Sequence, residues 1–206
     1  MHQKFVNQKN TYYKMKKTFK NIAILALISV IGTAFTTSNI EKKSVKVEAS
    51  QVIWKGYKVT GSHEGTIAIE EGTLTFDNDK LVGGEFVIDM TTIANTDLEG
   101  DYKSKLEGHL KSDDFFGVES HPTASLVFTE VTPSGKNAYD VTGDLTIKGI
   151  TKPVNFTMAI YGSKANATLK IDRSEYNVRY GSSSFFDGLK DKVIYDEFDL
   201  VADLQF

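Results

Sequence analysis

Histidines and aspartates are the residues of this chain best suited to acid–base chemistry or to metal binding. The candidate groups are His63, His109 and His121, together with the adjacent pair Asp113 and Asp114. No H-x-H or H-x-x-x-H spacing occurs among the histidines, and adjacent carboxylates do not converge on one substrate without help from the fold. The sequence therefore predicts no metal site, and it places His109 at a packed interface of a helix.

Nucleophilic catalysis would need a serine or a cysteine with a base beside it. Ser182–Ser184 are consecutive serines, but no G-x-S-x-G elbow surrounds them and no base is spaced to pair with them. The chain has no Cys, which excludes a thiol nucleophile, a disulfide framework and a Cys-based zinc site. We predict no catalytic residue and no cofactor. An enzyme for an apolar substrate stays open as an alternative, in which His63, Asp113 and Asp114 are the polar groups of interest.

The N-terminal segment has the composition of an export signal. Residues 1–49 contain nine Lys against two Glu, a charge of +7, whereas residues 50–206 contain fifteen Lys and Arg against twenty-five Asp and Glu, a charge of −10. Lysines precede an apolar run at residues 22–35, which is shorter than the roughly 20 residues that span a bilayer. We predict an N-terminal extension and signal peptide at 1–49, with Met15 as its start, and an exported domain at 50–206 that is periplasmic or secreted. An acidic domain without a basic stripe does not suit nucleic acid.

The predicted domain alternates apolar and polar residues, which is typical of β-strands with one buried face. Turn-forming residues separate these segments. About eight or nine strands with short links indicate an all-β antiparallel fold, either a sandwich or an up-and-down barrel. The predicted turns are Glu71-Gly72, 77–79, 133–137, 151–153 and 162–164.

One segment departs from this alternation. Apolar residues at Leu98, Tyr102, Leu106 and Leu110 are spaced by four, which predicts an amphipathic helix over 98–111 with Asp97 as its N-cap. The stretch 180–191 is predicted as a long loop with a helical turn. We therefore expect an antiparallel β domain with one inserted α-helix.

The inward faces of the predicted strands are almost entirely aliphatic or aromatic. In a barrel of about eight strands they either form a packed core or surround one slim apolar ligand, and the pattern alone does not decide between the two. The predicted tunnel lining consists of Phe86, Ile88, Met90, Leu126, Phe128, Leu145, Ile147, Phe156, Met158, Ile160, Leu169 and Ile171. The candidates for the tunnel mouth or its lid are His63, Phe115, Phe116, Phe185 and Phe186.

Three segments together resemble the YceI-like family of bacterial exported lipid-binding proteins. They are GEFVIDM at 84–90, LEGHLKSDDFFGVESHPT at 106–123 and YDVTGDLTIKGITKPV at 139–154. The resemblance covers about residues 47–206. It implies a lipocalin-like antiparallel barrel whose tunnel holds a long polyisoprenoid or a quinone, and it brings no catalytic residues to this chain.

The alternation and the resemblance together predict a non-catalytic carrier for a long-chain isoprenoid lipid. Such a tail needs no polar contact to bind tightly, because burial stabilises by about 25 cal/mol per Å² of apolar surface. The expected partners are an isoprenoid or another long-chain apolar lipid and an unidentified protein that delivers or receives it, but no nucleic acid and no metal. A structural or interaction barrel with a packed core stays open, as does an outer-membrane barrel, whose closing strand the alternating segment before Phe206 resembles.

Overall fold

Nine antiparallel strands make up most of residues 38–206, which are the residues that the computed structural model describes. The predicted signal run at 22–35 lies outside the described residues. The strands are β1 (Ile40–Ser44), β2 (Gln51–Lys58), β3 (Gly61–Asp77), β4 (Lys80–Asn95), β5 (Thr123–Pro133), β6 (Ala138–Ile147), β7 (Ile150–Tyr161), β8 (Lys164–Asp172) and β9 (Ile194–Gln205). One α-helix, α1 (Gly100–Lys111), follows β4, and short 3-10 helices lie at Val47–Ala49, Arg173–Tyr176 and Lys190–Lys192.

Strands β2 to β9 form a closed barrel. Each strand pairs with the next along the chain, and the first and last of the eight close the ring, with Gln51 of β2 opposite Asp203 of β9. The predicted all-β up-and-down barrel with one inserted helix is therefore confirmed. The ninth strand, β1, pairs with the far half of β3, and Val45 after it is buried. Residues 40–45 thus belong to this sheet, although the predicted domain began at residue 50.

Two tight turns show how the sequence sets the strand register. Asn78 and Asp79 join β3 to β4, and Lys148 and Gly149 join β6 to β7, all four with positive φ. Two-residue turns of this kind match the twist of paired strands.

Two of the predicted turns are wrong. Residues 151–153 lie within β7, where Pro153 faces Asp144 and where β7 has β6 as its only described neighbour. A proline is tolerated there because its missing N–H is not needed on the unpaired side. Glu71-Gly72 lies within β3 at a β-bulge between Ile69 and Glu71.

The barrel interior is apolar, and its outward faces carry charged and polar residues. Alternation is clearest along β8, where Ala165, Ala167, Leu169 and Ile171 are buried and the residues between them are exposed. At the end of the barrel that holds the β3–β4 turn, aromatic rings fill the interior. Phe128 lies between Phe86 and Phe156, with ring centroids 5.7 and 5.6 Å away.

The helix covers the opposite end of the barrel but begins later than predicted. Its N-cap is Glu99 rather than Asp97, and Tyr102 is 75% exposed instead of packed inward. Only Leu110 of α1 is fully buried, and Leu106 packs against the core. No helix within residues 38–206 is long and apolar enough to cross a membrane.

Asp97 does not cap the helix as predicted, and its carboxylate instead binds residues of β3 and β4. Its carboxylate accepts hydrogen bonds from the backbone N–H of Glu64 (3.0 Å), from His63 Nδ1 (2.8 Å) and from the side-chain amide of the fully buried Asn95. The backbone N–H of Asn95 in turn donates to Glu107 Oε1 of α1 at 2.8 Å. This network therefore ties the helix to the ends of β3 and β4.

The same network makes stability depend on pH. Burial acts to raise the pKa of Asp97, but the hydrogen bonds from Glu64, His63 and Asn95 outweigh it and lower the pKa from 3.8 to about 2. A pKa that is lower in the folded state stabilises the fold above the unfolded value, and this contribution is lost as the pH falls from about 4 to about 2. We expect Asp97→Asn to lower the free energy of unfolding by up to about 2 kcal/mol at pH 7 and to have little effect near pH 2.

Urea unfolding across that pH range measures this difference. Asp144→Asn, at an exposed position of β6, is the matched control. A deficit of Asp97→Asn that persists unchanged at pH 2 would show that the carboxylate does not act through its charge.

Gly65 marks a close approach of two strands. A Cβ at this position would overlap the carbonyl oxygen of Ala94 and come within 2.6 Å of the Trp54 ring. We expect Gly65→Ala to destabilise the protein by about 3 kcal/mol, because the backbone oxygen cannot move without shifting β4. Gly56→Ala is the control, since a Cβ there meets no atom within 4 Å. Thermal unfolding of both variants checks this, and equal melting temperatures would contradict it.

Candidate functional site

An apolar cavity of about 120 Å³ lies inside the barrel at the end covered by the helix. Six strands contribute to its wall, and α1 and the segment after it close it on one side. Among residues 38–206, Arg173 is the only charged residue in contact with it. The lining consists of Trp54, Gly56, Ile67, Ile88, Met90, Ile93, Leu110, Phe115, Phe116, Ala124, Leu145, Ile147, Arg173, Ile194, Tyr195, Phe198 and Leu200.

Small residues and strand irregularities accompany this cavity. Gly56 and Ala124 stand where larger side chains would fill the space. The pairing of β3 with β4 is interrupted between Ala68 and Thr66, where Thr92 Oγ1 instead accepts the N–H of Ala68 at 2.9 Å. This bulge shifts the alternation of β4, so that Ile93 lines the cavity together with Met90, three residues before it.

Phe115 and Phe116 form the wall of the cavity below the helix. Both rings are buried and pack edge to face, with centroids 5.0 Å apart. Their backbone is fixed by Lys148, whose Nζ donates to the carbonyl oxygens of Phe115 (2.8 Å) and Asp113 (3.1 Å). The lysine of the β6–β7 turn thus holds the aromatic pair against the barrel.

Arg173 places a buried positive charge at the cavity wall. Its guanidinium donates to the carbonyl oxygens of Val178 (2.8 Å), Ile194 (3.0 Å) and Tyr195 (3.2 Å), and it lies 3.3 Å from Asp196 Oδ1. Burial lowers the pKa of this guanidinium, while the nearby carboxylates act against that shift.

This arginine is already satisfied by the protein itself. Its carbon Cζ lies 5.3 Å from the centre of the Phe115 ring, which adds a cation–π contact. Arg173 has three carbonyl partners and one carboxylate partner. It therefore holds the chain in place around the cavity and is not an anion-binding group for a ligand.

A long loop, residues 177–193, borders the cavity end of the barrel. It contains the predicted helical turn, here the 3-10 helix Lys190–Lys192. Tyr180 of this loop packs edge to face on His109 of α1, with ring centroids 4.2 Å apart. His109 therefore lies at a packed interface between helix and loop.

The predicted lining residues divide between the cavity and the core. Ile88, Met90, Leu145 and Ile147 line the cavity. The other eight lie in the core of the barrel or pack against it, and they are Phe86, Leu126, Phe128, Phe156, Met158, Ile160, Leu169 and Ile171.

The predicted mouth residues lie in three places. Phe115 and Phe116 line the cavity, whereas Phe185 and Phe186 are exposed on the loop. His63 lies outside the cavity lining and is bound to Asp97. Within residues 38–206, no three His, Asp or Glu side chains are grouped to hold a metal ion.

The predicted lining contains none of the wall residues that β2, β3 and β9 contribute. Phe198 and Leu200 have the same alternation as the predicted lining, and this signal could have identified them. Arg173 gave no such signal, because only tertiary structure shows that its charge is buried.

A model of the YceI-like domain family matches residues 38–206. A UPF0312 protein of Azotobacter vinelandii (strain DJ) is 34% identical over 146 residues, covering 68% of this chain and 70% of its own. One of Pseudomonas putida (strain W619) is 28% identical over 180 residues, covering 80% of this chain and 88% of its own.

Two solved structures share the fold. The crystal structure of Burkholderia cenocepacia BcnA superposes with a TM-score of 0.62 at 24% identity, covering 78% of this chain and 98% of that one. A polyisoprenoid-binding domain from Saccharophagus degradans gives 0.53 at 15% identity, covering 81% and 97%. Since the family match extends over the whole described barrel, this chain belongs to the YceI-like domain family.

Proposed function

We propose that this protein is an exported, non-catalytic binding or carrier protein that holds a long-chain isoprenoid lipid, of polyprenyl or quinone type, in its barrel. The observation that carries the proposal is the internal cavity, whose side-chain lining within residues 38–206 is apolar except for Arg173, the hydroxyl of Tyr195 and the indole N–H of Trp54, which is hydrogen-bonded to Ala94. No cofactor is part of the proposal. The basic, then apolar, leader at residues 14–35 supports export.

The chemistry of the wall favours a hydrocarbon over a polar ligand. A sugar or an ion needs converging donors and acceptors, because a buried polar group without a partner costs free energy. The wall offers aliphatic and aromatic surface instead, and the one charge on it is already paired. A branched apolar chain suits this surface.

The size of the cavity shows how such a chain must enter. An apolar cavity of about 150 Å³ in another protein holds one benzene molecule. The 120 Å³ available here would take about one isoprene unit. A longer tail therefore requires lining side chains to move, and Met90 and Phe116 are suited to this because a Met side chain adapts readily and Phe116 lies on an irregular segment.

The comparisons support the same class of ligand. The Saccharophagus degradans relative in fold is described as a polyisoprenoid-binding domain. The apolar interior and charged outer faces of the barrel are the reverse of the pattern in a membrane-spanning barrel. The one carboxylate–histidine pair at this end, His63 with Asp97, lies outside the cavity lining, which favours binding over catalysis.

A structural or interaction barrel is the second candidate. The observation that favours it is the aromatic packing of Phe86, Phe128 and Phe156 away from the cavity. In that case the cavity would be a packing defect that binds nothing.

Native mass spectrometry of the full chain, expressed with its leader in a bacterium and recovered from the exported fraction, decides between these two. We expect a stoichiometric adduct that organic extraction releases and identifies as an isoprenoid. A protein that carries no adduct and also refuses long-chain quinones would overturn the carrier proposal. Recovery of the folded protein only from the cytoplasm, with an intact leader, would overturn export.

Filling the cavity tests where the ligand binds. Ala124→Leu adds three carbons to the wall, and we expect it to reduce ligand occupancy about tenfold or more, because each buried methylene group of a displaced ligand contributes about 0.8 kcal/mol. Ala159→Leu is the matched control, on the face of β7 opposite to the buried Met158. Occupancy is measured by extraction, and folding by thermal unfolding. Equal occupancy in both variants would place the ligand elsewhere.

A further inference from the structure

Exposed apolar side chains gather at the end of the barrel that holds the cavity. Val59 lies in the β2–β3 turn, Tyr180, Phe185 and Phe186 lie on the long loop, and Tyr195 lies at the start of β9. We call these five residues the rim. Each is between 39% and 50% exposed, and a group of exposed apolar side chains on one surface marks an interaction site more often than single ones do.

The backbone joins the three parts of the rim into one surface. The N–H of Val59 donates to the carbonyl oxygen of Val193 at 3.2 Å, which ties the β2–β3 turn to the start of β9. The N–H of Ile194 donates to the carbonyl oxygen of Gly181 at 2.8 Å, which ties β9 to the loop. Backbone hydrogen bonds therefore connect the three segments that carry the rim residues.

The rim is continuous with the cavity. Tyr195 lines the cavity and is also 50% exposed, and its neighbour Ile194 lines the cavity too. Tyr180 packs on His109, whose ring also meets Phe115 of the cavity wall at 5.6 Å. A ligand leaving the cavity between β9 and the loop would pass directly among the rim residues.

Charges of both signs flank the rim. Five cations and four carboxylates lie on the loop, on the segment after α1, in the β6–β7 turn and beside Val59. They are Lys58, Lys148, Arg179, Lys190 and Lys192 against Asp113, Asp114, Asp187 and Asp191. Arg173 and Asp196 form an ion pair, and Ser184 Oγ donates to Asp196 Oδ2 at 2.6 Å. The rim therefore offers apolar surface among charges that nearly cancel.

We propose that the rim is a membrane-docking surface, which places the open side of the cavity on a zwitterionic phospholipid bilayer. This inference rests on the proposed function, because a long isoprenoid chain resides in a bilayer, where such a carrier would take it up or release it. Aromatic side chains favour the boundary between headgroups and acyl chains. Amphipathic surfaces bind there in proportion to the apolar area that they bury.

The charge of the whole domain favours a neutral bilayer surface over an anionic one. Residues 50–206 carry a charge of −10, so that anionic lipid would repel the domain as a whole. Docking through rings rather than through lysines is therefore expected to depend little on salt.

Flotation with vesicles of phosphatidylcholine tests the proposal. Residues 38–206 form a compact unit with a closed barrel and its own core, so this segment is used to exclude the apolar leader. We expect it to float with the vesicles at low and high salt. The double variant Phe185→Ser, Phe186→Ser is expected to reduce the bound fraction about tenfold or more, because two rings lose their burial in the interface.

The control is Tyr161→Ser with Val127→Ser, two residues that are exposed at positions away from the rim. Thermal unfolding verifies that both double variants are folded, and organic extraction measures bound lipid in each separately. Wild-type protein that stays with the solvent, or a rim variant that floats as well as wild type, would overturn the docking surface. A folded protein that floats but never contains an isoprenoid would leave docking intact and overturn the carrier function instead.

Discussion

Closure of eight strands fixes the width of the interior, and the rest of the structure follows from how that width is filled. A barrel of this size is just wide enough for packed side chains or for one narrow ligand. Around Phe86, Phe128 and Phe156, aromatic rings pack against one another. At the other end Gly56 and Ala124 contribute little volume, and the barrel keeps an apolar space. The closed barrel thus contains an aromatic cluster toward one end and an apolar cavity at the other.

The end of the barrel that holds the cavity is also stabilised by polar contacts outside the strand pairing. The guanidinium of Arg173 in the cavity wall donates to carbonyl oxygens at the start of the loop and at the start of β9. Lys148 does the same for Phe115 by donating to its carbonyl oxygen. Asp97 and Asn95 secure the helix. These polar groups lie around the cavity instead of within it, so the site keeps its apolar character while its frame stays ordered.

Alternation in the sequence identified the strands but only part of the site. A period of two tells which face of a strand is buried, and it left a sandwich and a barrel open until the resemblance to the YceI-like family favoured the barrel. It does not tell how high along the barrel axis a residue lies, so Phe156 and Leu169 were assigned to the same lining as Leu145. Ile93 was missed because the bulge at Thr92 shifts the period. Asp97 was read as a cap because its true partner, His63, is distant in sequence.

The pairing of β2 with β9 joins two strands that lie near opposite ends of the described chain. Contacts of such long sequence separation form late and slowly, because the loop between them must first be ordered. During synthesis β2 emerges long before β9, so that the edges of β2 and β8 stay unpaired until residues 194–205 are available. The barrel therefore cannot close until β9 has been synthesised. A chain that ends before β9 would have two unpaired strand edges and no enclosed interior. Unpaired edges expose free N–H and C=O groups and are prone to aggregation.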